Sequence, residues 1–164
     1  MALNESLDPD RIDGTVRRAF LRRPEKVLLK SPKRLYRWSN RPLFEEDRIS
    51  PWWSFVDSMT LPSGMVVDGF RVSEERAQRI NRTHREFART RAAISGEFRN
   101  TMTNLIVVQL TKDVWGLAGQ ASGQPEFAKE RADLQNVFLI GGAHQVWIPN
   151  LTFPGDVHAL PTTA

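Results

Sequence analysis

Apolar residues recur along the chain with two periods. Near the amino terminus Ile12, Val16, Ala19 and Phe20 stand at helical steps behind Asp8 and Pro9, a capping residue and a proline suited to a first turn, and Pro24 closes the run. Residues 73–99 repeat that step over a longer stretch. Ala77, Ile80, His84, Phe87, Ile94 and Phe98 share one side, Ser73 offers a cap, and Glu74 and Glu75 suit the positive end of the helix dipole. Elsewhere a period of two, or an unbroken apolar run, takes over. "KRLYRWS" alternates and is rich in aromatics, "NLIVVQL" and "NVFLIGG" are continuous as in strands covered on both faces, and "AHQVWIP" alternates again.

The pattern predicts one α+β domain, with strands at both ends of the chain and a long central helix between them. Residues 1–30 read as a helical amino-terminal segment, 40–53 as a long loop, 118–136 as a turn and a short polar helix, and 155–164 as a loose tail.

Composition narrows the chemistry. A chain of 164 residues is long enough for one core, and it contains no cysteine, which excludes disulfides, thiolate metal sites and a thiol nucleophile. Three histidines without a metalloprotease spacing leave little for zinc, so no metal is expected. No apolar run approaches the roughly 20 residues needed to span a bilayer, and the amino terminus carries acids where a secretory signal needs bases. A cytoplasmic protein with no membrane association is the expectation. The formal charge of +4 is uneven: residues 1–41 hold 11 Lys and Arg against 5 Asp and Glu. Such a basic third attracts phosphate-bearing ligands or nucleic acid, or is simply a solvated face.

Three places stand out as candidates for chemistry. Arg37, alone among apolar neighbours, is either a phosphate-binding fork or an edge-strand residue turned to water. Trp52 and Trp53 either cover a flat ring or plug a core, and Ser54 beside them offers a hydroxyl. Gln145 shares a strand face with Trp147, while His144 shares the other with Val146. An amide can orient a sugar hydroxyl but cannot ionise to act as a general base, and the alternative is a polar edge-strand residue.

These stretches together resemble toxin-type mono-ADP-ribosyltransferases. "KRLYRWSNRP" is similar to that family's first strand, where an arginine following an aromatic residue holds the NAD phosphates. "SPWWS" is similar to the aromatic and hydroxyl stretch on the nicotinamide side of the cleft, and "HQVWIP" resembles the late strand that bears the catalytic glutamate. The resemblance covers residues 33–55 and 141–151. It implies split β-sheets of the ADP-ribosyltransferase type with a long central helix, NAD as cofactor, and a protein acceptor. It also implies Tyr36, Arg37, Trp52, Trp53 and Ser54 on the cofactor, with Gln145 in the catalytic place facing the same pocket as Arg37. Two departures matter. Glutamine keeps the glutamate's hydrogen bond and loses its charge, so the implied transferase or NAD glycohydrolase activity is reduced or altered, and "TMTN" only approximates the family's Ser-Thr-Ser strand.

Two other readings compete. The arginines at 76, 79, 82, 85, 89, 91 and 99 suit nucleic-acid binding, but interleaved glutamates at helical spacing can pair with many of them. Alternatively Trp147, Ile148 and Leu151 near a strand end form part of a non-catalytic protein-interaction surface.

Overall fold

The computed structural model describes residues 2–39, 42–43, 49–79, 83–84, 104–122, 124–125, 138–139 and 143–162. Seven strands make one sheet: β1 (Glu25–Leu29), β2 (Arg34–Ser39), β3 (Trp52–Phe55), β6 (Asn104–Leu110), β7 (Val114–Gln120), β10 (His144–Trp147) and β11 (Val157–Leu160). They lie in the order β1-β7-β10-β3-β2-β6-β11, and every pairing is antiparallel. Two small ribbons flank it, β4 (Met59–Thr60) with β5 (Val66–Val67), and β8 (Gln124–Pro125) with β9 (Phe138–Leu139). The described residues include two helices, α1 (Gly14–Arg18) and α2 (Phe70–Arg79).

The alternation of side chains sorts the sheet into two faces. Leu35 stands opposite Val108 and Phe55, and Trp53 opposite Val146, which in turn stands opposite Ala118. Those residues, with Val27, Leu29, Leu110, Val114 and Val157, form one buried apolar layer closed by Ile49, Leu61, Val67, Ile148 and Leu151. Each such Leu, Ile, Val or Phe contributes about 1.5–3 kcal/mol by leaving water. Gly116 and Gly119 keep β7 thin. A Cβ at Gly116 would come within 2.9 Å of Val146, and one at Gly119 within 3.2 Å of the Phe20 ring.

β3 is shared between two halves of the sheet. Trp52 and Trp53 pair with β10, whereas Ser54 and Phe55 pair with β2. Residues 68–70 lie where β3 leaves β10. Asp68 N–H donates to His144 Nδ1 at 3.1 Å, and Phe70 N–H donates to the Val56 carbonyl at 2.9 Å. Gly69 N–H meets Ser58 Oγ at 2.9 Å, and its backbone is pressed so close that a Cβ would fall 2.5 Å from the Val56 carbonyl.

This architecture corrects the expected fold class. The described residues are mostly antiparallel sheet with the two short helices α1 and α2, and among them there is no long central helix. The expected helix over 73–99 begins earlier, at Phe70, and runs through Arg79; residues 80–82 and 85–99 lie outside the described residues. The amino-terminal segment differs too. Its helix is the five residues Gly14–Arg18, capped by Asp13 rather than Asp8, and β1 occupies the part after Pro24. Residues 118–120 belong to β7 instead of a turn, and Val157–Leu160, expected in a loose tail, pair with β6.

Candidate functional site

The three stretches that carry the resemblance, far apart in sequence, become the adjacent strands β10, β3 and β2 at the centre of the sheet. Gln145, Trp147, Trp52, Ser54 and Tyr36 share the face opposite the main core. Arg37 does not join them. It alternates with Tyr36 and shares the core side with Leu35, its guanidinium carbon 5.8 Å from the Trp53 ring centroid and its Nε and Nη1 buried. Arg37 and Gln145 therefore face opposite sides of the sheet. Both sit on interior strands, which removes the edge-strand alternative for each. The tryptophans divide likewise: Trp53 is fully buried in the core and donates its indole N–H to Ser50 O, while Trp52 is half-buried on the other face.

Gln145 is buried, and its partner is main chain from the amino-terminal segment. Its Nε2 donates to Ala19 O at 2.9 Å, which fixes the orientation of the amide and leaves Oε1 as the acceptor. Ala19 is the C-cap of α1, where carbonyls lack helical partners, and Ser122 N–H meets the same oxygen at 2.9 Å. Phe20 follows, almost fully buried, with its ring 5.7 Å from Trp52, which in turn lies 6.5 Å from Trp147. Sequence reasoning placed Phe20 on a helix face and missed this role. No local pattern links a residue at 20 to a strand at 144–147.

At the β2 end of the same face a polar cluster forms inside an aromatic box. Trp38 Nε1–H, a donor only, meets His84 Nδ1 at 3.0 Å, so the ring carries its proton on Nε2, which faces Tyr36 Oη at 3.5 Å. Phe70 packs on both rings, with centroids 4.2 Å from His84 and 4.9 Å from Tyr36. Burial pushes His84 down to about 4, so it is neutral at pH 7. Burial likewise pushes the Tyr36 phenol up to about 12, against hydrogen bonds from Ser73 and Ser54 and with a smaller push from the Asp68 carboxylate. Tyr36 thus stays a neutral hydroxyl bridging β2, β3 and α2. His84 was expected to pack inward, and it does; its polar partners were not foreseen.

His144 turns to the other side of β10. Accepting from Asp68 N–H at Nδ1, it too is neutral, held below its ordinary value mainly by burial, with the Asp68 carboxylate opposing and Arg76 reinforcing. The described arginines are largely engaged: Arg23 with Asp10, Arg34 with Asp57, Arg71 with Glu75 and Arg76 with Asp68. Among the described residues no group of three or more His, Asp or Glu could hold a metal ion, and no helix is long and apolar enough to cross a membrane. No protein-family model matches the chain, and no curated protein or solved structure matches it.

Proposed function

We propose that the chain binds an NAD-type dinucleotide at the centre of its sheet and acts as a mono-ADP-ribosyltransferase-like protein with reduced transfer. One observation carries this reading: the three resembling stretches meet as neighbouring strands, with Tyr36, Trp52, Ser54 and Gln145 on a single face. Trp52 and Trp147 offer flat apolar surface to a base or nicotinamide ring, and Ser54 and the Gln145 Oε1 offer hydrogen bonds to amide and ribose groups. Arg37 takes no part, because its guanidinium lies on the other side against Trp53. The phosphates are therefore left to solvent or to cations outside this face.

Reduced transfer follows from Gln145. As nicotinamide leaves, positive charge grows on the ribose, and a neutral amide hydrogen-bonds the sugar without balancing that charge. Losing one electrostatic contribution of this kind typically costs about 2.7–4 kcal/mol, or 10²–10³ in rate. Nucleic-acid binding is the second reading: of its seven arginines Arg76 is paired with Asp68, and those at 82, 85, 89, 91 and 99 lie outside the described residues.

Titration calorimetry with NAD tests the proposal. Binding is expected to weaken at least tenfold in Trp52→Ala and in Gln145→Ala, and to persist in Arg37→Ala. Absence of binding both in the native chain and in Phe20→Ala, which removes the ring beside Trp52, overturns it.

A further inference from the structure

The amino-terminal segment crosses the face that carries Gln145. At its two ends Leu3 bridges Val114 of β7, and Phe20 bridges Ala121, the residue after β7. Between those ends α1 buries no residue, and at the Gln145 end the segment closes on the site with two groups. Ala19 O takes the Gln145 amide at 2.9 Å, and the Phe20 ring lies against Trp52 and over Gly119. A carbonyl on the amide and a flat ring on the tryptophan are what a nucleotide would supply at the same two residues.

We propose that residues 14–20 are a strap that closes the site by occupying it, and that ligand binding requires the strap to lift. This rests on the dinucleotide reading for the identity of the ligand, while the strap itself stands on the contacts above. The balance of forces favours a local opening. Besides the single buried ring of Phe20, the strap is held by Leu21 N–H to Gln120 O, Ser122 N–H to Ala19 O, Ser122 Oγ to Arg18 O and the Gln145 bond. The strands beneath it are bonded to neighbours on both sides and pack into the main core. Segments with few buried contacts open below the global unfolding threshold. The closed strap lowers apparent affinity by the fraction of time it is open, so opening in one molecule in thirty weakens binding about thirtyfold.

The bridge between Phe20 and Ala121 supplies a lock. Leu21 N–H to Gln120 O and Ser122 N–H to Ala19 O flank it, which makes it a non-hydrogen-bonded antiparallel pair, with Cα atoms about 4.5 Å apart and within disulfide reach. The chain has no cysteine, so the double variant Phe20→Cys/Ala121→Cys forms one defined disulfide. The reduced form is expected to bind NAD at least tenfold more tightly than the oxidised form of the same variant; equal affinity overturns the proposal. Hydrogen exchange of the native chain gives a readout that needs no ligand. The amides of Leu21 and Ser122 are expected to exchange at least tenfold faster than that of Val146, and equal protection overturns the strap even if NAD binds. Early exchange of those amides, with NAD bound by neither form of the variant, overturns the dinucleotide reading and with it the proposal as stated.

Discussion

Trp38 donates its indole N–H to Nδ1 of His84 across 3.0 Å, and this bond fixes the tautomer of a histidine that burial keeps neutral. An imidazolium would carry a proton on Nδ1 and turn it against the indole proton. Burial among Tyr36, Trp38 and Phe70 works in the same direction, holding His84 down at about 4.

Acid should therefore weaken the fold through His84. Its folded value lies below the unfolded value of 6.5, so the unfolded chain takes up the proton first. Stability is intact above 6.5 and falls progressively toward 4, by on the order of 2 kcal/mol once solvent screening is allowed for. Urea unfolding from pH 7 to 4 measures it. His84→Gln, which cannot titrate, should flatten the slope over that window; an unchanged slope would contradict the assignment. At the opposite end, the raised Tyr36 phenol predicts loss of stability as pH climbs from 10 toward 12.

How far such features were legible in the sequence depends on whether a local pattern encodes them. β6 was plain because "NLIVVQL" is unbroken, and the alternation of Gln145 with Val146 held in β10. β7 was hidden because two of its seven residues are glycines, demanded by Val146 and Phe20 from elsewhere in the chain. The tethering of Gln145 was hidden for a different reason. Its partner is a main-chain carbonyl 126 residues away, and any residue type supplies one. Alternation also placed Arg37 and Tyr36 on different faces, yet the resemblance asked both to serve one ligand.

Trp52 and Trp53 should separate stability from binding. Trp53→Ala empties a fully buried site and is expected to cost about 3–5 kcal/mol in urea unfolding. Trp52→Ala, half-buried on the other face, should cost about 1–2 kcal/mol while abolishing most NAD affinity. Equal destabilisation by both would place Trp52 in the core instead.

Arg37→Ala should affect stability alone. Removing the guanidinium from the Trp53 ring, together with its aliphatic stem, is expected to cost about 1–2 kcal/mol. Calorimetry on the folded variant should find NAD affinity within about twofold of the native chain. A tenfold loss would show that the phosphates reach the core side after all.

Gly69→Ala tests the packing of residues 68–70 against the backbone of residues 56–58. The added Cβ would meet Val56 O at 2.5 Å and Ser58 N at 2.7 Å, both of them backbone atoms that cannot swing aside. Residues 56–58 or the segment at 68–70 must give way, and about 2–4 kcal/mol of stability should be lost. Exchange of the Asp68 and Phe70 amides, which donate to His144 and Val56, should accelerate along with it. A variant as stable as the parent would mean the segment has room.

Asp156 governs the last strand. Burial alone would raise its carboxyl, but Lys112 at 2.7 Å and the Thr152 N–H and hydroxyl at 2.8 and 3.0 Å outweigh it and hold the group below its ordinary value. Its own carbonyl accepts from Thr111 N–H, so the turn at 152–156 delivers the chain into register with β6. The contribution is present above the ordinary carboxylate value and disappears as pH falls through the lower folded one. Asp156→Asn cannot accept from Thr152 on one oxygen and meet Lys112 with another, because one of its two polar atoms is now a donor. A loss of about 1–3 kcal/mol is expected, with faster exchange of the amides bonding β11 to β6 and a shallower stability slope below pH 4. If β11 stays protected in this variant, the turn is not what holds it.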